Sequence, residues 1–328
     1  MLRWTDAAWL ADATRWISSH ANVTGDLDQF HVRWWSTVIR VPTREGDLYF
    51  KAVDRGFRFE PALTAKLAEL APDRVPELVA VDAARGWMLI RDGGTRLREV
   101  VRTTDDLRHW ERALPRYAEL QIAATPVADE LLALGVPDER LRVLPSQLRA
   151  LLATQPPGLT EDERARLDAA LPTFEAMCRE LAAHGIRETV QHDDLHDGQV
   201  FVRGERYLFF DWGDACVSHP FHTLTVTLRA TAARLDLAPG GRELQRLRDA
   251  YLEPFGDLRE AADLAYRTGT VARTLAWDRY VRAAGAHAEP DDASAPAYGL
   301  KLFLENGPIG SWREPPPKPT RPPPRTAG

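Results

Sequence analysis

The stretch from residue 191 to residue 214 limits what this chain can become more than any other. Gln191, His192, Asp193, Asp194, Leu195, His196, Asp197, Gly198 and Gln199 make an acidic, histidine-rich turn. Residues 200–202 form a short apolar run, 203–206 a polar turn, 207–210 a second apolar run and 211–214 another acidic turn. Short apolar runs bounded by turn residues read as buried strands. The segment is therefore a β-hairpin with carboxylates at both open ends. Those ends are neighbours in an antiparallel pair, so Asp194 and Asp211 converge although 17 positions separate them.

Carboxylates gathered without a basic partner repel one another. A fold keeps such a cluster when a cation sits between the acids or when one of them works as a base, and phosphoryl transfer uses both devices. Residues 192–199 resemble the catalytic loop of the aminoglycoside phosphotransferase and choline kinase-like families, and Phe210, Asp211 and Trp212 resemble their metal-binding turn. The resemblance implies an α+β, protein-kinase-like bilobal fold with a small sheet lobe (1–92) and a larger helical lobe (93–312). It also implies Asp194 as catalytic base, Asp211 as main Mg²⁺ ligand and Gln199 as second ligand. Two positions depart from the family pattern. Asp193 stands where a small residue is usual, and Gln199 where Asn is usual. Glutamine carries the same amide oxygen on one more methylene. It reaches the metal if the loop sits slightly further away, and otherwise weakens the second metal site.

Upstream, residues 28–53 have the β-branched and alternating character of strands, with a turn signal at 43–47. Lys51 interrupts an apolar strand, and a lysine among buried neighbours needs an anionic partner. The chain offers Glu60, on a helix predicted over 58–71. Ahead of the acidic loop, this pair resembles the kinase lysine–glutamate pair that grips nucleotide phosphates. No glycine lies between Gly25 and Gly46, so a glycine-rich phosphate loop is absent. Residues 34–37 take its place, with Ser36 and Thr37 as the expected phosphate contacts. Two further strands fall within 76–92, and Gly93 and Gly94 then break the chain. By resemblance this is the hinge, where Ile90 to Asp92 meet the nucleotide base. Backbone recognition leaves no side-chain signature, so ATP and GTP both stay open.

Helices dominate the remainder. They are expected at 137–153, after a capping box at Thr160 and Glu163, and at 242–252, 257–268, 269–284 and 295–305. An opening helix over 4–20 carries a tryptophan stripe suited to core packing. By resemblance the helical part forms the acceptor wall, with His196, Asp197, Asp214, Trp277, Asp278 and Tyr280 as substrate-side candidates. That wall is not dominated by acidic residues, which argues against a polycationic acceptor.

A formal net charge of −6 argues against general nucleic-acid affinity. No apolar stretch is long enough to cross a bilayer. Two cysteines, Cys178 and Cys216, provide no disulfide framework, so a reducing cytoplasm is the simplest compartment. Residues 313–328 are rich in proline and arginine and read as an extended tail. The expected activity is ATP-dependent phosphorylation of a hydroxyl on a small molecule, such as an antibiotic, sugar, amino alcohol or natural-product intermediate. A nucleotide-binding pseudokinase, or nucleotidyl transfer on the same fold, is the alternative.

Overall fold

The computed structural model describes residues 2–288 and 290–311; the proline-rich segment 313–328 lies outside the described residues. Five strands form an antiparallel sheet: β1 (Asp28–Val32), β2 (Ser36–Val41), β3 (Leu48–Val53), β4 (Leu78–Asp82) and β5 (Trp87–Arg91), in the order β1-β2-β3-β5-β4. Side chains alternate across a strand, and here the alternation separates core from cleft. Ile39, Val41, Leu48, Phe50, Ala52, Trp87 and Leu89 are buried on one face. Ser36, Val38, Tyr49, Lys51, Val53, Met88 and Ile90 open onto a cleft.

The core face is covered by α1 (Ala7–His20). Asp6 caps this helix by accepting from the backbone N–H groups of Ala8 and Trp9. Trp9 and Trp16 pack edge-on or tilted against Phe50 and Trp87, at centroid distances of 5.5–6.3 Å. The tryptophan stripe is thus core, as its spacing implies. Between β3 and β4 runs α2 (Glu60–Leu70), which buries Leu63 and Leu67 in the second, larger core.

After the sheet comes a two-residue strand, β6 (Thr95–Arg96), then α3 (Leu97–Val100), α4 (Arg108–Ala124) and α5 (Ala128–Ala133). A bridge strand β7 (Asp138–Glu139) precedes α6 (Leu144–Ala153), so the helix expected from residue 137 starts later. The capping box at Thr160 and Glu163 opens α7 (Glu161–Ala183), whose Leu167, Phe174, Cys178 and Leu181 are buried.

The site elements follow. β8 (Thr189–Gln191) leads into the acidic turn, and β9 (Val200–Arg203) and β10 (Arg206–Phe209) form the expected hairpin, pairing Val200 with Phe209. β11 (Cys216–Ser218) pairs antiparallel with β8 and parallel with β7. Three residues are too few to show a period, so the sequence alone does not reveal this strand. α8 (Thr223–Leu235), α9 (Arg242–Leu252), α10 (Arg259–Ala284), α11 (Pro290–Ala293) and α12 (Ala295–Glu305) complete the chain.

The two helices expected at 257–268 and 269–284 are one, α10. Gly269 does not break it. A Cβ there would lie 2.4 Å from Thr225 Oγ1, so the glycine lets α10 pack closely on α8. Among the described residues no helix is long and apolar enough to cross a membrane.

Candidate active site

The cleft has a volume of about 590 Å³, within the range of small-molecule sites. Its apolar part includes Val38, Met88, Ile90, Phe201 and Phe210; its polar end holds Lys51, Asp194, Gln199 and Asp211. Gly93 is required beside it, because a Cβ would meet the Phe210 ring at 2.5 Å. Asp92 lines the same edge; its carboxylate accepts from Gly94 N–H (3.1 Å) and its carbonyl from Arg203 Nη1 (3.3 Å).

Lys51 projects from the cleft face of β3 and makes two short ion pairs, 2.6 Å to Glu60 Oε1 and 2.6 Å to Asp211 Oδ1. Burial works to lower the ammonium pKa, yet Asp211 and Glu60 together raise it above the ordinary lysine value. One cation serves two carboxylates unequally. Burial pushes the fully enclosed Glu60 up to about 7 despite Lys51, and its Oε2 has no hydrogen-bond partner. Burial acts on Asp211 in the same direction, but the Lys51 charge and hydrogen bond hold it below the usual carboxylate range.

Asp211 sits in the left-handed region, with φ +62°. A non-glycine residue there costs about 1 kcal/mol, a strain typical of functional turns. The Gln199 side-chain N–H donates to Asp211 Oδ2 at 3.1 Å. Phe210 N–H donates to Gln199 O at 2.9 Å, so the hairpin itself brings 199 and 211 together. Among the described residues no three His, Cys, Asp or Glu side chains gather to hold an ion alone. A carboxylate and an amide oxygen do fit a hard cation that completes its shell with phosphate oxygens and water, as Mg²⁺ does.

The acidic turn is held in place by its own histidine. Asp194 N–H donates to His192 Nδ1 (3.3 Å), which leaves Nε2–H to donate to Phe210 O (2.7 Å). Burial lowers the His192 pKa, so the ring is a neutral brace between the two turns. Asp193 adopts φ +62° and is buried, exchanging two hydrogen bonds with Gln191. Burial raises its pKa. Its side chain therefore points into the protein, and Asp194 alone of the pair lines the cleft.

Sequence reasoning missed the cation that makes this cluster tolerable. Arg273, from α10, donates to Asp194 Oδ1 at 2.8 Å and to Asp214 Oδ2 at 3.0 Å, and lies 3.7 Å from Asp193. Burial would raise the Asp194 pKa, but Arg273 and His196 hold it well below the usual range. A signal was present: Arg273 is the one charge in the run 268–276 of a buried helix, and a buried charge demands partners.

The remaining expected residues divide. Ser36 is buried in β2 at the cleft, 3.2 Å from His31 Nε2. His196 lies under the loop; its Nδ1 accepts from Gly198 N–H (2.9 Å) and its Nε2 is 3.5 Å from Asp194 Oδ2. Asp197 is taken up by Arg98 and Arg234 as a brace. Asp214 lines the cleft with its charge shared by Arg273. Trp277 and Asp278 are not among the cleft residues. Trp277 has Arg229 and Arg273 over its ring and meets Tyr298 edge-on, and Asp278 pairs with Arg282. Tyr280, two residues on, does reach the cleft. Its hydroxyl accepts from Trp34 Nε1 at 3.2 Å, and its ring packs 5.0 Å from Trp34 and 5.4 Å from Trp35. The β1–β2 turn is thereby pinned to α10.

A family model described as "Phosphotransferase enzyme family" matches residues 26–264. No curated protein sequence matches the chain. Solved structures match over nearly its whole length. A choline/ethanolamine kinase family protein from Mesorhizobium loti shares 18% identity at a TM-score of 0.59, covering 90% of this chain and 95% of that one. A macrolide 2'-phosphotransferase from Brachybacterium faecium shares 20% identity at 0.57, covering 89% and 97%. The GDP complex of aminoglycoside 2'-phosphotransferase-IIIa shares 15% identity at 0.60, covering 90% and 98%. At these identities the likeness is one of fold.

Proposed function

This chain belongs to the phosphotransferase enzyme family and is a small-molecule kinase; from that premise we propose that it transfers the γ-phosphoryl group of Mg²⁺-bound ATP to a hydroxyl of a small molecule. The observation that carries the reading is the convergence of Lys51, bonded to both Glu60 and Asp211, with Asp194 in one cleft. In this reading residues 1–92 form the nucleotide-covering lobe and 93–312 the lobe with the acceptor site. Val38, Met88, Ile90 and the backbone near Asp92 take the base, and Lys51 orients the phosphates. Asp211 and Gln199 oxygens would hold Mg²⁺, which would supply screening of charge on the phosphates. The acceptor oxygen forms its bond to the γ-phosphorus as the bond to the bridging oxygen breaks, and ADP leaves. Asp194 accepts or orients the hydroxyl proton. Because Arg273 makes the Asp194 carboxylate a weak base, its main contribution is orientation, and positioning supplies much of the barrier lowering.

GTP is the second candidate donor, since one structural neighbour was solved with GDP. The test is ADP or GDP release measured across a panel of hydroxyl acceptors, with calorimetric titration of a non-hydrolysable nucleotide. Binding that needs Lys51 and turnover that needs Asp194 are the expected results. Full turnover in Asp194→Ala, or no nucleotide binding by the wild type, would overturn the reading.

A further inference from the structure

The turn between β1 and β2 closes without help from the His31 side chain. Arg33 N–H donates to Ser36 O at 2.9 Å. The Thr37 hydroxyl donates to His31 O at 2.8 Å and accepts from Gln29 Nε2 at 2.9 Å. Thr37, expected as a phosphate contact, is thereby engaged in the turn; it is fully buried and is not among the cleft residues. The His31 imidazole is left for another task, and the sheet register says where. His31 pairs with Val38, Val38 with Lys51, and Lys51 with Met88, so the four form one cross-strand row, and all four line the cleft. Neighbouring strands lie about 4.8 Å apart, which puts His31 on the order of 10 Å from Lys51 along that row. Its Nε2 is 3.2 Å from the Ser36 hydroxyl oxygen, and Ser36 lines the cleft as well.

The surroundings favour an anion. Burial first, then Arg33 and Lys51, with Arg96 adding to them, hold the imidazole below its ordinary pKa against the pull of Asp211. Positive charge thus reaches the ring from the β1–β2 turn, from β3 and from β6. Lys51 alone does not match a polyphosphate, because its ammonium is already bonded to Glu60 and Asp211. A neutral imidazole keeps one N–H. With that hydrogen on Nε2, His31 donates to Ser36 Oγ and leaves the hydroxyl hydrogen to a phosphate oxygen. We propose that His31 is a positioning residue of the nucleotide site, which aims the Ser36 hydroxyl at the phosphate chain and so replaces the backbone donors of a glycine-rich loop. The proposal rests on the kinase reading above for the occupant of the cleft.

Calorimetric titration of the full chain with a non-hydrolysable ATP analogue and Mg²⁺, and separately with adenosine, tests it. Loss of a hydrogen bond to a charged group is expected to weaken binding of the analogue about tenfold in His31→Leu and in Ser36→Ala. Adenosine, which has no phosphate, should bind all three proteins alike; a merely structural role would weaken both ligands together and overturn the proposal. His31→Gln keeps a side-chain N–H and is expected to recover most of the lost affinity. The double variant His31→Leu/Ser36→Ala should bind no more weakly than either single one, since both remove the same contact. A double variant that loses the product of the two single effects would overturn the pairing, as would unchanged affinity in His31→Leu. Inorganic tripolyphosphate, titrated against wild type and His31→Leu, separates this failure from that of the kinase reading. Weaker tripolyphosphate binding in His31→Leu supports the contact even where no acceptor is phosphorylated. Equal tripolyphosphate binding beside wild-type turnover overturns the contact and leaves the kinase reading standing.

Discussion

Arg273 Nη2 lies 2.8 Å from Asp194 Oδ1, although 79 residues separate the two in sequence. Three acids of the site, Asp193, Asp194 and Asp214, share this guanidinium. Removing one partner of a buried charge network leaves the others uncompensated, at about 3–5 kcal/mol. Arg273→Ala is therefore expected to lower the unfolding free energy by roughly that amount and to abolish turnover. Urea denaturation and ADP release check both; a variant with wild-type stability would refute the hub.

Lys51→Ala removes the single cation between Glu60 and Asp211. Loss of an electrostatic contact to a reacting phosphate is expected to lower kcat/KM by about 10²-fold or more. Weaker binding of a non-hydrolysable nucleotide should accompany it. Unchanged nucleotide affinity, read by calorimetry, would argue that Lys51 serves the fold alone.

Glu60 gives a pH signature. Its folded pKa of about 7 lies above its ordinary value of 4.5. The folded state thus holds a proton that the unfolded state has released, so stability from this group is complete below 4.5 and is lost as pH rises through about 7. Wild type should lose on the order of 2–3 kcal/mol relative to Glu60→Gln across that window. Denaturation curves at several pH values measure the difference, and parallel curves would refute it.

Gly93→Ala forces a methyl to within 2.5 Å of the Phe210 ring. Overpacking of this kind costs about 1–3 kcal/mol, and displacement of Phe210 should weaken nucleotide binding. A Gly93→Ala protein with native stability and affinity would show that the ring moves freely.

Gln199→Ala removes a hydrogen bond that orients the Asp211 carboxylate as well as an amide oxygen. The Mg²⁺ concentration for half-maximal turnover is expected to rise roughly 10–100-fold. Gln199→Asn, which shortens the side chain but keeps the amide, should fall between. An unchanged Mg²⁺ requirement in Gln199→Ala would remove residue 199 from the metal site.

The hairpin at 200–209 and the apolar strand interrupted by Lys51 were legible because both are local: short apolar runs bounded by turn residues lie within a few positions. Arg273 was not, since its three partners lie on loops 59 to 80 positions away and only the fold brings them to α10. Trp277, Asp278 and Tyr280 were candidates for the wall on side-chain type alone. Trp277 instead lies against arginines, and Tyr280 is the residue of that stretch that reaches the cleft. Gly269 stands at the expected break between two helices, yet it lies inside α10. Here the reason for it is a neighbouring helix, which no single sequence window contains.

The clasp between Trp34 on the β1–β2 turn and Tyr280 on α10 has a kinetic consequence. A glycine-rich flap can fold over a nucleotide and lift away at little cost, whereas indoles fastened to the opposite lobe resist opening. A spent nucleotide would then depart only as fast as those rings part, and the doorway rather than the chemistry would set the pace of each cycle.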